Sequence, residues 1–103
     1  MIDLIEQRRA QIEVLCRQFQ VQRLEVFGSA ADGDRFDSNG SDVDFLVEFA
    51  PEGESHIAEL YLDLIAALND LLGREVDVVM TRAIRNPYFR QVVDRSRRTL
   101  YAA

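Results

Sequence analysis

Lysine is missing from this chain, and all twelve of its basic residues are arginine. That excludes a P-loop, whose lysine reaches the terminal phosphates of a nucleotide, and any covalent mechanism that uses a lysine amine. There is one histidine, His56, which falls near a predicted helix start and is expected to be an exposed first-turn residue. A histidine-dependent mechanism elsewhere is therefore not expected. The single cysteine, Cys16, cannot form an internal disulfide. Ile12, Leu15 and Phe19 surround it at helical spacing and no Cys/His arrangement accompanies it, so it reads as a core residue rather than a nucleophile. No apolar run approaches the roughly 20 residues that span a bilayer. Met1 to Glu6 carries Asp3 and Glu6 rather than a basic segment leading into an apolar one. No signal peptide and no membrane association are expected, and the cytoplasm is the expected location.

Over 103 residues the chain is expected to fold as one domain, residues 1–103, burying roughly two-thirds of the surface its unfolded form exposes. An apolar fraction of 48% with only two prolines is that of a globular rather than a disordered sequence. A net charge of −6 and a pI near 4.7 argue against direct nucleic-acid binding, which rests on Lys and Arg neutralising phosphates. A basic protein partner suits this charge better.

The hydrophobic pattern predicts a helix over residues 3–19, with Asp3 and Glu6 resembling a capping box and Ile5, Ile12, Leu15, Cys16 and Phe19 returning to one face. A strand is predicted over 22–27, ending at Gly28. A second is predicted over 43–49, where Phe45-Leu46-Val47 suggests burial on both faces. After a turn at Pro51-Glu52-Gly53 comes the most regular helical stripe in the chain: Ile57, Leu60, Tyr61, Leu64, Ile65, Leu68, Leu71 and Leu72. Ser55 is its expected N-cap and Gly73 its terminator. A third strand is predicted over 75–80, and Asp77 is conspicuous inside it, because a buried carboxylate must be paired or coordinated. Asn86-Pro87 opens a last helix with Phe89, Val92, Val93, Ser96 and Leu100 expected on one face and Arg90, Arg95, Arg97 and Arg98 on the other.

Leu24 to Glu48 concentrates the chemistry. Asp42 and Asp44 lie one residue apart where an apolar strand begins, so both project to the same face and can share a divalent cation. Gly28-Ser29 follows the preceding strand and offers small side chains and backbone N–H groups of the kind that approach a phosphate closely. Asp77, on a strand expected beside Asp42 and Asp44, supplies a third carboxylate. Two-metal phosphoryl or nucleotidyl transfer needs such a carboxylate set, and an all-oxygen donor set with few protein carboxylates suits Mg²⁺. A calcium loop over Asp37 to Glu48 fails at its sixth position, where Asp42 stands in place of glycine.

Gly28-Ser29, Asp42-Val43-Asp44 within SDVDFLV, Asp77 within EVDVV and the tail Arg85-Asn86-Pro87-Tyr88-Phe89-Arg90 together resemble the nucleotidyltransferase superfamily typified by DNA polymerase β, and within it the minimal nucleotidyltransferase (MNT) proteins. The resemblance covers nearly the whole chain. It implies an α/β (α+β) fold, a small mixed β-sheet with helices packed on it. It also implies transfer of a nucleoside monophosphate from ATP to an acceptor hydroxyl with two Mg²⁺ ions. By that analogy Gly28 and Ser29 bind the triphosphate, Asp42 and Asp44 ligate both metals, and Asp77 ligates one and orients or deprotonates the acceptor. Many MNT proteins are antitoxins that form hetero-oligomers with HEPN-domain ribonuclease toxins and adenylylate their tyrosines, so a HEPN toxin is the expected partner. The chain departs from the family at Ala31-Asp32-Gly33, where relatives often carry arginine in the middle position. Twelve residues separate Ser29 from Asp42, about two more than the commonest family spacing. An acid near the triphosphate would repel it unless Arg35 or a tail arginine substitutes. The alternative is an inactive antitoxin that neutralises its toxin by binding.

Overall fold

The computed structural model describes residues 1–33 and 42–103. Four strands form one sheet in the order β3-β2-β1-β4: β1 is Val21–Phe27, β2 Val43–Phe49, β3 Val76–Met80 and β4 Arg98–Ala102. β1 runs antiparallel to both β2 and β4, and β2 runs parallel to β3. The parallel pair follows from the connection between its strands. A helix, α4, spans Ile57–Leu72 and carries the chain back so that β3 starts at the same end as β2. This is the mixed sheet with packed helices that the sequence implies.

Period-two alternation divides the sheet into two faces. One presents Leu24, Val26, Val43, Phe45, Val47 and Val78 to the main core, closed by Ile5, Ile12, Cys16, Leu64, Leu68 and Leu72 from the helices. The other presents Phe27 and Leu46 to a smaller cluster with Ile84 and Val93. β2 is therefore buried on both sides, as its apolar run predicts: Phe45, Leu46 and Val47 are all at or below 1% exposure. α4 ends where expected, with Gly73 left-handed at φ +65°. Its neighbour Asn69 accepts the Val76 N–H at 2.8 Å, so the helix end also fixes where β3 begins.

Several expectations are corrected. The N-terminal helix is two helices, α1 Asp3–Gln7 and α2 Arg9–Gln18. They break at Arg8, whose N–H is shared between the Leu4 and Ile5 carbonyls at 3.2 Å each; the hydrophobic period continues across the break and so conceals it. No capping box forms. Ile2 is the N-cap without a side-chain bond, and its own N–H is taken by the Ala30 carbonyl at 2.9 Å. Ser55 does not cap α4, because residues Pro51–His56 form a 3₁₀ helix that runs directly into it, leaving exposed His56 at the N-cap. Gly28 is followed by a one-turn helix, α3, Ser29–Asp32. The last helix, α5, spans Pro87–Ser96, with the Asn86 side chain accepting the Tyr88 and Phe89 N–H groups at 2.9 and 3.4 Å. It stops at Ser96, so Leu100 belongs not to its face but to β4, buried at the β1 edge.

Candidate active site

Asp42, Asp44 and Asp77 lie at one end of the parallel pair. Phe27 of β1 stands opposite Asp44, and Asp44 stands opposite Asp77 in the β2–β3 register, so the three side chains form a row across one sheet face. Asp42 precedes β2 by one residue. Asp44 is half-buried, whereas Asp42 and Asp77 are exposed. Asp77 thus sits beside the other acids, but the burial expected of a residue in a valine strand does not hold for it. β3 is an edge strand, and Asp77 meets water there and needs no pairing partner.

Burial, followed by the charges of Asp77 and then Asp42, pushes the Asp44 carboxyl up to about 6. Two like charges acting on a partly desolvated carboxylate have this sign. Among the described residues no group of three or more His, Cys, Asp or Glu side chains is drawn together closely enough to hold a metal ion. Asp44 and Asp77 share a face and an end of the sheet, and Asp42 lies one residue before β2. Their donor set, carboxylate oxygens alone, is the kind Mg²⁺ takes.

Gly28 joins the two halves of the site. Its backbone stands at φ +71°, and a Cβ there would lie 2.9 Å from Asp44 Oδ2. Glycine is required both by the dihedral and by the close approach of the β1–α3 turn to the acid. The Gly28 N–H donates to Ser96 Oγ at 2.8 Å, and Ser96 is only 7% exposed. Ser29 opens α3, while Asp32 at its end is exposed. Arg35, the first candidate to offset Asp32, lies outside the described residues, as do residues 37–41 of the calcium-loop stretch, Ser41 among them.

Two features of this face escape sequence reasoning. Ser96 reads as one more residue of a helical stripe because its partner is a backbone amide 68 positions away. Glu25, 3% exposed, reads as a polar residue in a strand, yet it is the hub of an ion-pair cluster. Arg97 reaches it with Nε to Oε2 at 2.8 Å and NH2 to Oε1 at 2.6 Å, and Arg23 Nε joins at 2.9 Å. Hydrogen bonding from Arg97 holds the Glu25 carboxyl below its ordinary value, outweighing burial. Arg97 is accordingly not part of a solvated arginine face. The alternation of Glu25 with buried Leu24 and Val26 is the one sequence signal that could have marked it.

The family model for the nucleotidyltransferase domain matches residues 8–100, and the chain belongs to that family. A Methanocaldococcus jannaschii protein provisionally named a protein adenylyltransferase is 33% identical over 82 residues, covering 80% of this chain and 79% of that relative. A solved structure of a provisionally assigned minimal nucleotidyltransferase is 34% identical, superposes with a TM-score of 0.74 and covers 94% of this chain and 95% of that one. The minimal nucleotidyltransferase fold recurs, at 19% identity and a TM-score of 0.62, in the complex of a tri-AMPylated Shewanella oneidensis HEPN toxin with its MNT antitoxin, over 95% of this chain and 72% of that one.

Proposed function

We propose that this chain is an Mg²⁺-dependent adenylyltransferase of MNT antitoxin type, a single domain working in the cytoplasm as a hetero-oligomer with a HEPN-domain toxin and transferring AMP from ATP to a tyrosine hydroxyl of that toxin. The observation that carries the reading is the Phe27–Asp44–Asp77 row with Gly28 pressed against Asp44. It sets a small-residue turn, suited to phosphate, against acids suited to a hard cation. Membership of the nucleotidyltransferase domain family supports the reaction class. The name of the archaeal relative supports a protein acceptor, and the AMPylated toxin complex supports AMP as the group transferred.

Asp42, Asp44 and Asp77 are the residues that would hold two Mg²⁺ ions. When bound there, such ions would supply positive charge against the triphosphate and the developing acceptor oxyanion. Gly28 and Ser29 hold the triphosphate against the sheet end. In the transfer, the acceptor oxygen forms a bond to the α-phosphorus as the bond to the bridging oxygen breaks, and pyrophosphate leaves. Asp77, exposed to the approaching acceptor, orients the hydroxyl and takes its proton. The exposed Asp32 works against nucleotide affinity. It favours a second reading, a binding antitoxin without catalysis.

Incubation with ATP, Mg²⁺ and the HEPN-domain protein proposed as its partner decides between them. Adenylylation predicts one or more AMP additions to that protein by intact mass, and none with Asp42→Ala/Asp44→Ala. Equal addition by the double variant would remove the acids from the mechanism. No addition by the wild type, together with protection of cells by Asp44→Ala, would favour the binding antitoxin.

A further inference from the structure

A transferase that modifies a protein must hold that protein beside its acids, and α5 has the attributes of the element that does so. Among the described residues five large hydrophobics are exposed, and three of them lie on this one ten-residue helix: Tyr88 at 77%, Val92 at 53% and, less so, Phe89 at 37%. At about 100° per residue, Tyr88 and Val92 share one flank of the helix, while Phe89 falls on the side of Val93 and Ser96 and shows only part of its ring. Arg95 continues the flank one turn on, and Arg85 stands just before the helix. Both are exposed, and among the described residues neither forms an ion pair. This is an apolar spot rimmed by arginine on a chain of net charge −6.

The flank is also tied to the site. Phe89 packs edge-on against Phe27 with ring centroids 6.0 Å apart, and Phe27 is the register neighbour of Asp44. At the other end of the helix Ser96 holds the Gly28 amide. One element thus presents an uncovered aromatic surface outward and braces the nucleotide turn inward.

We propose that the Tyr88–Val92 flank of α5, bordered by the exposed edge of Phe89, is the docking surface for the protein that this enzyme modifies, and that it takes a complementary patch of apolar side chains rimmed by carboxylates. Aromatic and arginine side chains of this kind supply the anchoring contacts of protein interfaces. The arginines select the partner's rim at contact range, within a Debye length of about 8 Å, although the chain's overall charge favours a basic partner at longer range. A second copy of this chain is a poor occupant, because two-fold self-pairing sets Arg85 and Arg95 against their own counterparts. Nucleic acid is disfavoured by the overall acidity.

The inference rests on the reading of the chain as a protein adenylyltransferase, and its test separates the two. Binding of the HEPN-domain protein proposed as its partner, and of ATP with Mg²⁺, would be measured by calorimetry for the wild type, Tyr88→Ala/Val92→Ser and Arg95→Glu. The substituted positions are exposed, so folding is unchanged, as circular dichroism would verify. Docking on α5 predicts that Tyr88→Ala/Val92→Ser loses roughly thirty-fold or more in partner affinity, the loss expected for an aromatic hot spot, with ATP affinity retained. It also predicts that Arg95→Glu weakens the partner and flattens the salt dependence. Unchanged partner affinity in both variants overturns the proposal while leaving the enzymatic reading intact. Loss of ATP affinity instead would assign the flank to the nucleotide and overturn it as well. If the wild type binds ATP but not the HEPN protein, the partner reading fails and takes this proposal with it.

Discussion

Gly28 shows how much of a site a single missing side chain can determine. Its positive φ and the 2.9 Å that would separate an added Cβ from Asp44 Oδ2 act in the same direction, so Gly28→Ala must both strain the backbone and displace the carboxylate. We expect a loss of about 1–3 kcal/mol in unfolding free energy, read by urea denaturation, with nucleotide affinity falling in parallel. A neutral substitution would mean that the turn is not pressed on the acid. At this scale local signals, period-two alternation and an acid in a valine strand, single out Asp42, Asp44 and Asp77, which the fold sets at one end of the parallel pair. It was uninformative for Ser96, whose hydroxyl serves an amide on another element. It also misjudged the setting of Asp77, since exposure is decided by strand order, which no local pattern encodes.

Elements locked together by Glu25 have a pH dependence with a definite sign. Arg97 comes from the end of α5 and Arg23 from β1, while Arg23 NH2 also reaches Thr99 Oγ1 of β4 at 2.8 Å, so one carboxylate joins three elements. Its folded-state pKa is lowered from 4.5, chiefly by the Arg97 hydrogen bond. Below 4.5 the unfolded chain therefore binds the proton first. The stabilisation is fully present above that value and is lost as pH falls through the folded-state pKa. Glu25→Gln should cost about 1–3 kcal/mol near neutrality and flatten the acid limb of the stability curve, measured by urea titrations between neutral and acid pH. An unchanged acid limb would contradict the role given to Glu25. The helix α4 and strands β1 to β3 were legible because each carries a strong local period. β4 was not: Leu100 continues the α5 stripe at helical spacing, and only pairing with the β1 edge makes Arg98–Ala102 a strand. The break at Arg8 escaped for the same reason, since both α1 and α2 face the core with one uninterrupted stripe.

At the scale of the whole molecule, the main apolar core lies on one face of the sheet and the acids on the other, with a smaller apolar cluster under α5. Among the described residues no helix is long and apolar enough to cross a membrane. The fold class came from the family resemblance; the strand and helix periods alone give three of the four strands and no strand order. The crowded acids give a paired prediction for the molecule. Asp44→Asn should raise the thermal midpoint in EDTA by relieving like-charge repulsion and should abolish the rise that Mg²⁺ produces in the wild type through binding to the folded state. A Mg²⁺-induced rise that persists in Asp44→Asn would place the ion elsewhere.

The most direct test of the central claim is the single-turnover rate of AMP transfer to the HEPN partner by wild type and Asp77→Asn at saturating ATP and Mg²⁺. Because Asp77 stands exposed opposite Asp44 and is proposed to take the acceptor's proton, the rate should fall by roughly 10²–10⁴-fold, the usual share of general base catalysis, while ATP still binds. Transfer at the wild-type rate would contradict the assignment of the Phe27–Asp44–Asp77 row as the catalytic centre.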